Sequence, residues 1–589
     1  MPHIGDMLAE MLAQYEVEYV FGMPGGQTTA LHDGISRRPD RIRHVLVRDE
    51  RSAAYAADAY ARLTNKPGVC DVTVGPGATK LVDGFVEASN ASIPLIGIVG
   101  ELPLDWLSLK PKGVASQGFD QLGMFKAIAK EAWLVPSVTA LPELLRTAFR
   151  VATSPRPGPV ALLIPHDIMD QPWNERSMPV HIDTRYSHYP AHRSVPVQEE
   201  IDAAAAVIKK ARRPAIVCGG GVFASEAGEQ VTEFADKVQG LVVTSLSGKG
   251  SVPESRDYNA GVLNPLGEKA ALDAVREADL LIWCGSKASQ NTSLNWTLPL
   301  PEQATITIDF DPEEHGRTFK PTVSLCGDVR ETVKLLSNAL PQQKHPTWVK
   351  KIVSHKKSAE SLKIKDRQSD AVPISPPRVM QEVARHLKDD DVVISDASFS
   401  AGWISGHIPA NIARRRFLYF RGQGGLGVST PAAIGAGLVR PKSTIVTVAG
   451  DGGFSFAIGE LPTQVLNGLK VVNIVLNNGS LGWIQMWQEI FFQKVVSTRM
   501  ESNMATPKYA EAGAALGLEG FYVDDPAKIA ETIAAAFAHD GCSVVEIRTD
   551  DQMTPLHSFK RRKDSKKKPA LPGTVYSLRD WKISPKRGK

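Results

Sequence analysis

The sequence predicts an α/β protein of three domains, each a mainly parallel β-sheet flanked by helices, followed by a basic C-terminal tail. The chain has 589 residues, 43% hydrophobic and 22% charged, which is ordinary globular composition and enough for three to four domains. Short β-branched and aliphatic runs alternate with helical stretches, as in βαβ units. Several of these runs lead directly into glycine-rich turns, where α/β sheets bind their ligands.

The first domain is predicted over residues 1–180. Residues 4–15 suit an amphipathic helix, residues 18–21 a short strand and residues 22–26 a flexible glycine-rich turn. An alanine-rich helix is predicted over residues 52–63, and strand 68–74 runs into Gly75-Pro76-Gly77. Glu50 stands where a strand gives way to that helix. An acid at this point is also favoured by the helix dipole alone, so a purely structural role is the alternative.

The second domain is predicted over residues 198–340, after a linker at residues 174–197 that is rich in Pro, His and Ser. Its strand 214–218 enters Gly219-Gly220-Gly221, and residues 280–285 and 306–309 suit further strands. The pattern is similar to a Rossmann-like fold but lacks the full G-x-G-x-x-G, so nucleotide binding and plain packing are equal alternatives. The polar, Lys-rich residues 341–370 are predicted to form a second linker.

The third domain is predicted over residues 371–550 and holds the most informative motif. Strand 443–449 ends in Gly450-Asp451-Gly452, and strand 471–476 ends in Asn477-Asn478, with a helix predicted between them. Because the carboxyl ends of parallel strands meet at one edge of a sheet, we expect the two turns to lie close together.

These two turns offer one carboxylate, one amide oxygen and nearby backbone carbonyls. An oxygen-only set suits Mg²⁺ holding a diphosphate better than Zn²⁺, and the glycines let the backbone approach phosphate oxygens closely. A lone Gly-Asp-Gly would equally fit a turn capped by its aspartate. The spacing adds information, because 24 residues separate Gly452 from Asn477.

Composition excludes several classes of protein. No apolar run reaches 18 residues, so no membrane span is expected, and the N-terminus lacks the pattern of a secretory signal. The five cysteines are scattered and never form a C-x-x-C pair, which argues against a disulfide framework or a zinc site. A cytoplasmic protein is therefore expected.

The basic tail, residues 551–589, carries twelve Lys and Arg against three Asp and Glu, a net charge of +9 in a chain whose total is +4. Such a run is commonly solvated. The tail could instead fold over the active site as a lid and hold a phosphate-bearing substrate such as an acyl-CoA. Nucleic-acid binding is a minor alternative.

Several spaced motifs together resemble the thiamine-diphosphate enzymes of the acetolactate synthase and 2-hydroxyacyl-CoA lyase group. Gly-Asp-Gly followed by Asn-Asn after two dozen residues resembles the thiamine-diphosphate signature. Residues 22–26, Glu50 with its alanine-rich helix, and Gly-Pro-Gly-Ala-Thr at residues 75–79 resemble the pyrimidine-binding half of the group. Residues 431–436 and 481–489 agree, so the resemblance covers about residues 3–550.

The resemblance implies a pyrimidine-binding domain at residues 1–180 and a diphosphate-binding domain at residues 371–550. Asp451, the Asn478 side chain and the Ser480 carbonyl would bind Mg²⁺. Glu50 would hydrogen-bond N1′ of the aminopyrimidine, which promotes removal of the thiazolium C2 proton. Leu426 aligns with the apolar residue that holds the cofactor bent, with ordinary core packing as the alternative. The implied cofactor contacts are Pro24, Gly25, Glu50, Gly75, Ser400, Gly424, Leu426, Gly450, Asp451, Gly452, Gly453, Asn478, Ser480, Leu481 and Gly482.

Gln117 is implied to be catalytic together with Glu50, and to line the substrate pocket with Gln27, Trp483 and Trp487. The two tryptophans are four residues apart and share one helix face, so core packing is the alternative for them.

Four departures from the group concern the acetolactate substrate and FAD rather than thiamine diphosphate. The group's Phe-Gln-Glu appears as Ser-Gln-Gly around Gln117, and its Gln-His pair appears as Phe399-Ser400. The Gly-x-Arg of flavin-binding members appears as Gly-Ser-Lys at residues 285–287, and Trp483 replaces a methionine. FAD or ADP in the central domain is left open.

The leading expectation is an acetolactate-synthase-like lyase or carboligase that acts on a 2-oxo acid. A 2-hydroxyacyl-CoA lyase whose tail binds CoA is the close alternative, and a non-catalytic binding protein on the same fold is the alternative from another class. By the resemblance, the active enzyme is a homodimer or homotetramer in which Glu50 and Asp451 meet across a two-fold interface.

Overall fold

The computed structural model describes residues 2–502 and 506–556, which form three six-stranded sheets. Every pairing between named strands of these sheets is parallel. Helices flank each sheet, so the predicted fold class is confirmed. The sequence beyond residue 556, which holds the basic residues of the predicted lid, lies outside the described part of the chain.

The first sheet has the strand order β2-β1-β3-β4-β6-β5. Its strands are β1 (Tyr19–Gly22), β2 (Arg43–Leu46), β3 (Gly68–Val72), β4 (Leu95–Glu101), β5 (Glu131–Leu134) and β6 (Pro159–Pro165). Its helices are α1 (Ile4–Gln14), α2 (Thr29–Ser36), α3 (Glu50–Thr64), α4 (Pro76–Lys80), α5 (Val82–Ala91), α6 (Gln121–Ile128), α7 (Leu141–Thr153) and α8 (His166–Met169).

The second sheet has the strand order β12-β11-β10-β7-β8-β9. Its strands are β7 (Pro214–Cys218), β8 (Leu241–Thr244), β9 (Asn259–Val262), β10 (Leu280–Cys284), β11 (Ala304–Asp309) and β12 (Val323–Cys326). Its helices are α9 (Gln198–Lys210), α10 (Gly221–Ala224), α11 (Gly228–Val238), α12 (Lys269–Glu277) and α13 (Val329–Ala339).

The predicted second linker differs from the structure, because most of it is a helix, α14 (Pro346–Arg367). The many lysines of this segment favoured the prediction of a linker, although long unbranched side chains are also good helix formers. Trp348 and Ile352 are buried and pack against the core of the second sheet, and the Trp348 indole donates to the Pro214 carbonyl at 3.1 Å. Two apolar residues therefore anchor a helix that is otherwise polar.

The third sheet has the strand order β14-β13-β15-β16-β18-β17. Its strands are β13 (Val392–Ser395), β14 (Phe417–Tyr419), β15 (Ile445–Gly450), β16 (Val471–Asn477), β17 (Glu519–Val523) and β18 (Ser543–Arg548). Its helices are α15 (Pro376–His386), α16 (Phe399–His407), α17 (Ser429–Val439), α18 (Asp451–Ser455), α19 (Leu461–Leu466), α20 (Gly482–Phe492), α21 (Tyr509–Ala515) and α22 (Ile529–Ala538).

The first and third sheets are joined through α3 and α17, which pack against each other within one chain. Small residues make this contact close: a Cβ on Gly435 would lie 2.0 Å from the Ala56 carbonyl oxygen. Ala53, Ala432 and Ala436 are fully buried in the same apolar cluster. The helix that begins with Glu50 is therefore held against the domain that carries the Gly-Asp-Gly motif.

Among the described residues, no helix is both long enough and apolar enough to cross a membrane.

Candidate active site

The Gly-Asp-Gly and Asn-Asn turns come together at one edge of the third sheet, as predicted. β15 and β16 are neighbours in parallel register, with Gly450 opposite Leu476. A cleft forms at the carboxyl ends of β13, β15 and β16. The predicted cofactor contacts that line it are Ser400, Leu426, Gly450, Asp451, Gly452, Gly453, Asn478, Ser480, Leu481 and Gly482.

Asp451 is the one buried carboxylate at this turn with an unpaired oxygen. Its side chain is almost fully buried, and Oδ2 has no hydrogen-bond partner among the described residues. Burial raises the pKa of Asp451 to about 7, although backbone N–H groups at Gly452 and Gly479 and the charge of Arg548 act in the opposite direction. A buried carboxylate of this kind requires a cation nearby if it is to remain ionised.

The rest of the turn supplies further oxygen ligands and open space. The Asn478 side-chain oxygen accepts from the Ser480 backbone N–H at 3.1 Å, so both residues lie in one tight loop beside Asp451. Space is open beside Gly450, where an added Cβ would have no atom within 4 Å. Gly453 is closely packed, because an added Cβ there would lie 2.6 Å from Asp396 Oδ1. The donors and the open glycine edge fit a hard cation with a diphosphate.

Asp396 organises the loop that carries Leu426, and sequence reasoning did not find it. This buried carboxylate accepts the backbone N–H groups of Gly427 and Ser429 at 3.0 Å each and the Ser429 hydroxyl at 2.9 Å. Its only sequence signal is its position directly after β13. The three contacts place Leu426 at the wall of the cleft.

The predicted pyrimidine-side residues form a second group at the edge of the first sheet. Gly75 has φ +73°, and a Cβ there would lie 2.7 Å from the Gln117 Cβ. The Gln27 side-chain oxygen accepts from the Thr73 hydroxyl at 2.6 Å. A Cβ on Gly25 would lie 2.3 Å from the Thr73 Cβ, and Pro24 precedes it in the same turn.

Glu50 belongs to this second group. Its Oε1 would lie 3.3 Å from a Cβ on Gly77, so the carboxylate rests against the turn after β3. Glu50 does not line the cleft around Asp451 of its own chain. Within the described part of one chain, Glu50 and Asp451 therefore lie in separate groups of residues.

Two side chains, Glu460 and Arg51, connect the start of α3 to the third domain through contacts that the sequence did not reveal. Glu460 Oε1 accepts the backbone N–H groups of Arg48 at 2.7 Å and Asp49 at 2.9 Å. Arg51 donates to the Leu426 carbonyl at 3.0 Å. The residues on either side of Glu50 are thus fastened to segments that border the cleft.

Trp483 and Trp487 continue an aromatic series that starts at the cleft. The Phe399 ring, which lines the cleft, lies edge-on to Trp483 at 5.5 Å between centroids. Trp483 lies edge-on to Trp487 at 5.8 Å, and Trp487 stacks on Phe491 at 5.3 Å. Both tryptophans are partly buried against the apolar core, so packing contributes to their position. Gly424, in the loop before Leu426, has φ +84° and open space around it.

In the glycine turn of the central domain, two of the three glycine N–H groups are used within the protein. The backbone N–H groups of Gly219 and Gly221 donate to the carbonyls of Cys284 and Gly285 at 2.9 and 3.0 Å. A Cβ on Gly219 would lie 2.1 Å from the Gly285 oxygen, so these glycines serve backbone packing. Lys287 donates to the Asn90 carbonyl, and burial lowers the pKa of Lys287 to about 8.

Comparisons with known proteins agree with this geometry. The chain matches the thiamine pyrophosphate enzyme N-terminal TPP binding domain over residues 2–124, the central domain over residues 201–336 and the C-terminal TPP binding domain over residues 396–547. Together these matches span well over half of the chain.

Curated relatives match over almost their whole length. A probable acetolactate synthase large subunit of Methanocaldococcus jannaschii is 31% identical, over 91% of this chain and 90% of the relative. Acetolactate synthase isozyme 2 large subunit of Escherichia coli is 31% identical, over 91% and 93%. An acetolactate synthase of Arthrospira platensis is 30% identical, over 93% and 95%. The chain therefore belongs to the thiamine pyrophosphate enzyme family and is an acetolactate-synthase-like enzyme that depends on thiamine diphosphate.

Proposed function

We propose that this enzyme is a carboligase that acts on 2-oxo acids, with Mg²⁺ holding the cofactor diphosphate. The observation that carries the proposal is the buried Asp451 carboxylate with one unpaired oxygen, set in an open glycine turn lined by further oxygen donors. Asp451, the Asn478 side chain and the Ser480 carbonyl would hold the metal. The relatives named acetolactate synthase support a 2-oxo acid as the substrate.

Different residues of the chain would bind the cofactor, shield the substrate from water and hydrogen-bond the pyrimidine ring. When bound, thiamine diphosphate would supply the nucleophilic carbon needed for chemistry at the carbonyl of a 2-oxo acid. Leu426 forms an apolar wall of the cleft, and Asp396 keeps its loop in place. Glu50 would hydrogen-bond the pyrimidine ring through its carboxylate. Trp483 and Trp487, on the helix that follows the metal turn, are placed to exclude water from one side of the substrate.

The separation of the two groups of residues supports a two-fold assembly. Glu50, Gln27 and Gln117 lie at the edge of the first sheet, whereas Asp451 lies in the cleft of the third. We infer that Glu50 of one chain completes the cleft of its partner, so that a homodimer is the smallest active unit.

The comparisons give no support to a 2-hydroxyacyl-CoA lyase or to a non-catalytic protein. Gly219 and Gly221 of the central turn use their N–H groups internally, and the proposed function does not include a flavin.

A substrate survey tests the proposed function. Purified enzyme with thiamine diphosphate and Mg²⁺ is incubated with pyruvate, longer and aromatic 2-oxo acids, and a 2-hydroxyacyl-CoA. We expect CO₂ release from at least one 2-oxo acid, together with formation of a coupled product. This product should be a 2-hydroxy ketone or a 2-hydroxy-3-oxo acid. Cleavage of the acyl-CoA without turnover of any 2-oxo acid would contradict the proposal. A cofactor-loaded enzyme that turns over no member of the survey would contradict it equally.

A further inference from the structure

An ion pair that sequence reasoning did not find lies beside the Asn-Asn turn. Arg548, the last residue of β18, donates to Glu501 through two nitrogens, at 2.8 Å to Oε2 and 2.6 Å to Oε1. The side chains of Arg548 and Glu501 are 30% and 20% exposed, so the pair is half-buried. Neither side chain is among the described residues that line the cleft, whereas Asn478 and Ser480 are. The ion pair therefore contacts the turn from outside the cleft.

Glu501 packs directly on the backbone of this turn. Gly479, between the two predicted metal ligands of the turn, has φ +68°, and a Cβ there would lie 2.3 Å from Glu501 Oε1. The Gly479 carbonyl accepts the Met500 backbone N–H at 2.9 Å. The Gly479 N–H donates to the Asn477 side-chain oxygen at 3.1 Å. Both sides of Gly479 are therefore fixed, and the carboxylate leaves room for no larger residue.

The residues before Glu501 run alongside the turn. The Leu481 backbone N–H donates to the Thr498 carbonyl at 2.8 Å, and Ser480 forms an antiparallel bridge with Arg499. Ser480 is the residue whose carbonyl is predicted to bind the metal. Backbone hydrogen bonds from the segment that ends at Glu501 thus hold the residues on both sides of this predicted ligand.

Asn477, the last residue of β16, connects the ion pair to the sheet. It is 3% exposed, and its side-chain amide donates to Glu546 Oε1 at 2.7 Å. Its side-chain oxygen accepts from Arg548 at 3.4 Å. Glu546 Oε2 in turn accepts the Ala510 backbone N–H at 3.0 Å. Arg548 therefore contacts Asn477 and Glu501 together, and it joins the end of β16 to the segment that runs along the turn.

We propose that Arg548 and Glu501 are positioning residues that keep the metal turn rigid and thereby favour Mg²⁺ over the larger Ca²⁺. The proposal rests on the metal site of the proposed function. Mg²⁺ requires nearly ideal octahedral oxygen ligands at about 2.0–2.1 Å, whereas Ca²⁺ accepts flexible sets of oxygens at about 2.3–2.6 Å. A turn that is fixed at Asn477 and Gly479 suits the cation with the stricter geometry. Contacts that orient the ligands of a metal commonly govern its affinity.

Charge and geometry lead to different expectations for this ion pair. Arg548 and Glu501 carry opposite charges, so together they add no net charge near the metal. Removal of Arg548 alone leaves a carboxylate that attracts any divalent cation, whereas removal of Glu501 alone leaves a guanidinium that repels it. Because Mg²⁺ and Ca²⁺ have the same charge, these effects largely cancel in the ratio of their dissociation constants. A change in this ratio therefore reports the geometry of the turn.

Cation binding measures this role without turnover. The full-length enzyme with saturating thiamine diphosphate is titrated calorimetrically with Mg²⁺ and, separately, with Ca²⁺. The parent is compared with Arg548→Met, Glu501→Gln and the double variant. In each single variant, the dissociation constant for Mg²⁺ divided by that for Ca²⁺ should rise about tenfold. The double variant should show no further rise, because both substitutions remove the same contact.

Arg193→Met is the matched control for loss of a half-buried ion pair. Arg193 donates to both carboxylate oxygens of Asp328 at 3.0 Å each, and its side chain is 24% exposed, close to the value for Arg548. Neither residue of this second pair is among those that line the cleft. Arg193→Met should therefore lower the stability of the protein in urea without changing the cation ratio.

Arg548→Lys is the control for charge. A lysine retains the positive charge but lacks the planar fork that reaches both Glu501 oxygens and Asn477 together. The cation ratio of Arg548→Lys should therefore stay close to that of Arg548→Met.

A cation ratio that stays at the parent value in both single variants would overturn the proposal, as would a parent-like ratio in Arg548→Lys. If Arg548→Met fails to fold, Glu501→Gln decides, because its ratio must still rise. Failure of this inference is separable from failure of the proposed metal site. In the first case the parent binds Mg²⁺ with thiamine diphosphate and only the ratios coincide. In the second case the parent binds neither cation, or Asp451→Ala binds Mg²⁺ as tightly as the parent does.

Discussion

Glu460 should control where Glu50 stands, although the two are more than 400 residues apart in sequence. Its carboxylate is 2% exposed, and Oε2 accepts from the Thr463 hydroxyl at 2.8 Å. Oε1 takes the backbone N–H groups of Arg48 and Asp49, which immediately precede Glu50. Removing this acceptor should loosen the start of α3 without touching any residue that binds the cofactor.

The size of the effect follows from the two backbone donors. Glu460→Ala leaves both N–H groups without their acceptor, at roughly 1–3 kcal/mol each when buried. Because Arg48 is exposed and Asp49 is half-buried, the lower part of this range applies, and we expect a loss of about 2–4 kcal/mol in the free energy of unfolding. Glu460→Gln retains an oxygen acceptor and should lose only about 1 kcal/mol.

The assay has two readouts. Urea unfolding gives the stability of the three proteins. Exchange of the cofactor C2 proton in D₂O, followed by NMR, reports how well Glu50 is placed. We expect exchange to slow by on the order of 10² in Glu460→Ala, since a displacement of about 1 Å in a catalytic group can cost that much. Glu511→Ala, at an exposed glutamate paired with Lys508, is the control for loss of a charge. If Glu460→Ala matched Glu460→Gln in both stability and exchange rate, the hydrogen bonds from Arg48 and Asp49 to Glu460 would have no role in placing Glu50.

Three further outcomes are expected. Asp451→Ala should lose binding of thiamine diphosphate with Mg²⁺ in calorimetry, and binding as tight as that of the parent would refute the metal assignment. The active species should be at least a dimer by light scattering, and a fully active monomer would refute the shared site. Asp71→Asn should lower the melting temperature at pH 7, because Asp71 accepts from His32 at 2.7 Å and His44 at 2.8 Å. Burial raises the pKa of Asp71, but the contacts with the two histidines lower it by a larger amount. The net pKa of Asp71 therefore lies below its usual value. The stability contributed by this carboxylate is therefore present above about pH 3.8, and it is lost as the pH falls through the lower pKa of the folded state. The difference in melting temperature between Asp71→Asn and the parent should therefore become smaller in acid.

The sequence by itself determined the fold class and predicted that the Gly-Asp-Gly and Asn-Asn turns lie at one edge of the third sheet. Gly450, Asp451, Gly452 and Asn478 belong to one βαβ unit, and parallel strands necessarily bring the ends of such a unit to the same edge. The short-range pattern of strands and turns was therefore sufficient to predict that these two turns meet. The same reasoning failed for residues 341–370, where two buried residues make a helix of a segment whose composition suggested a linker.

The remaining features were decided by tertiary structure. The close packing of α3 on α17 brings Glu460 to the amides before Glu50 and Arg51 to the Leu426 carbonyl. The ion pair with Arg548 holds Glu501 against the Asn-Asn turn. These contacts join residues that are distant in sequence. Their energies depend on distance and burial, which no periodicity or spacing in the sequence encodes.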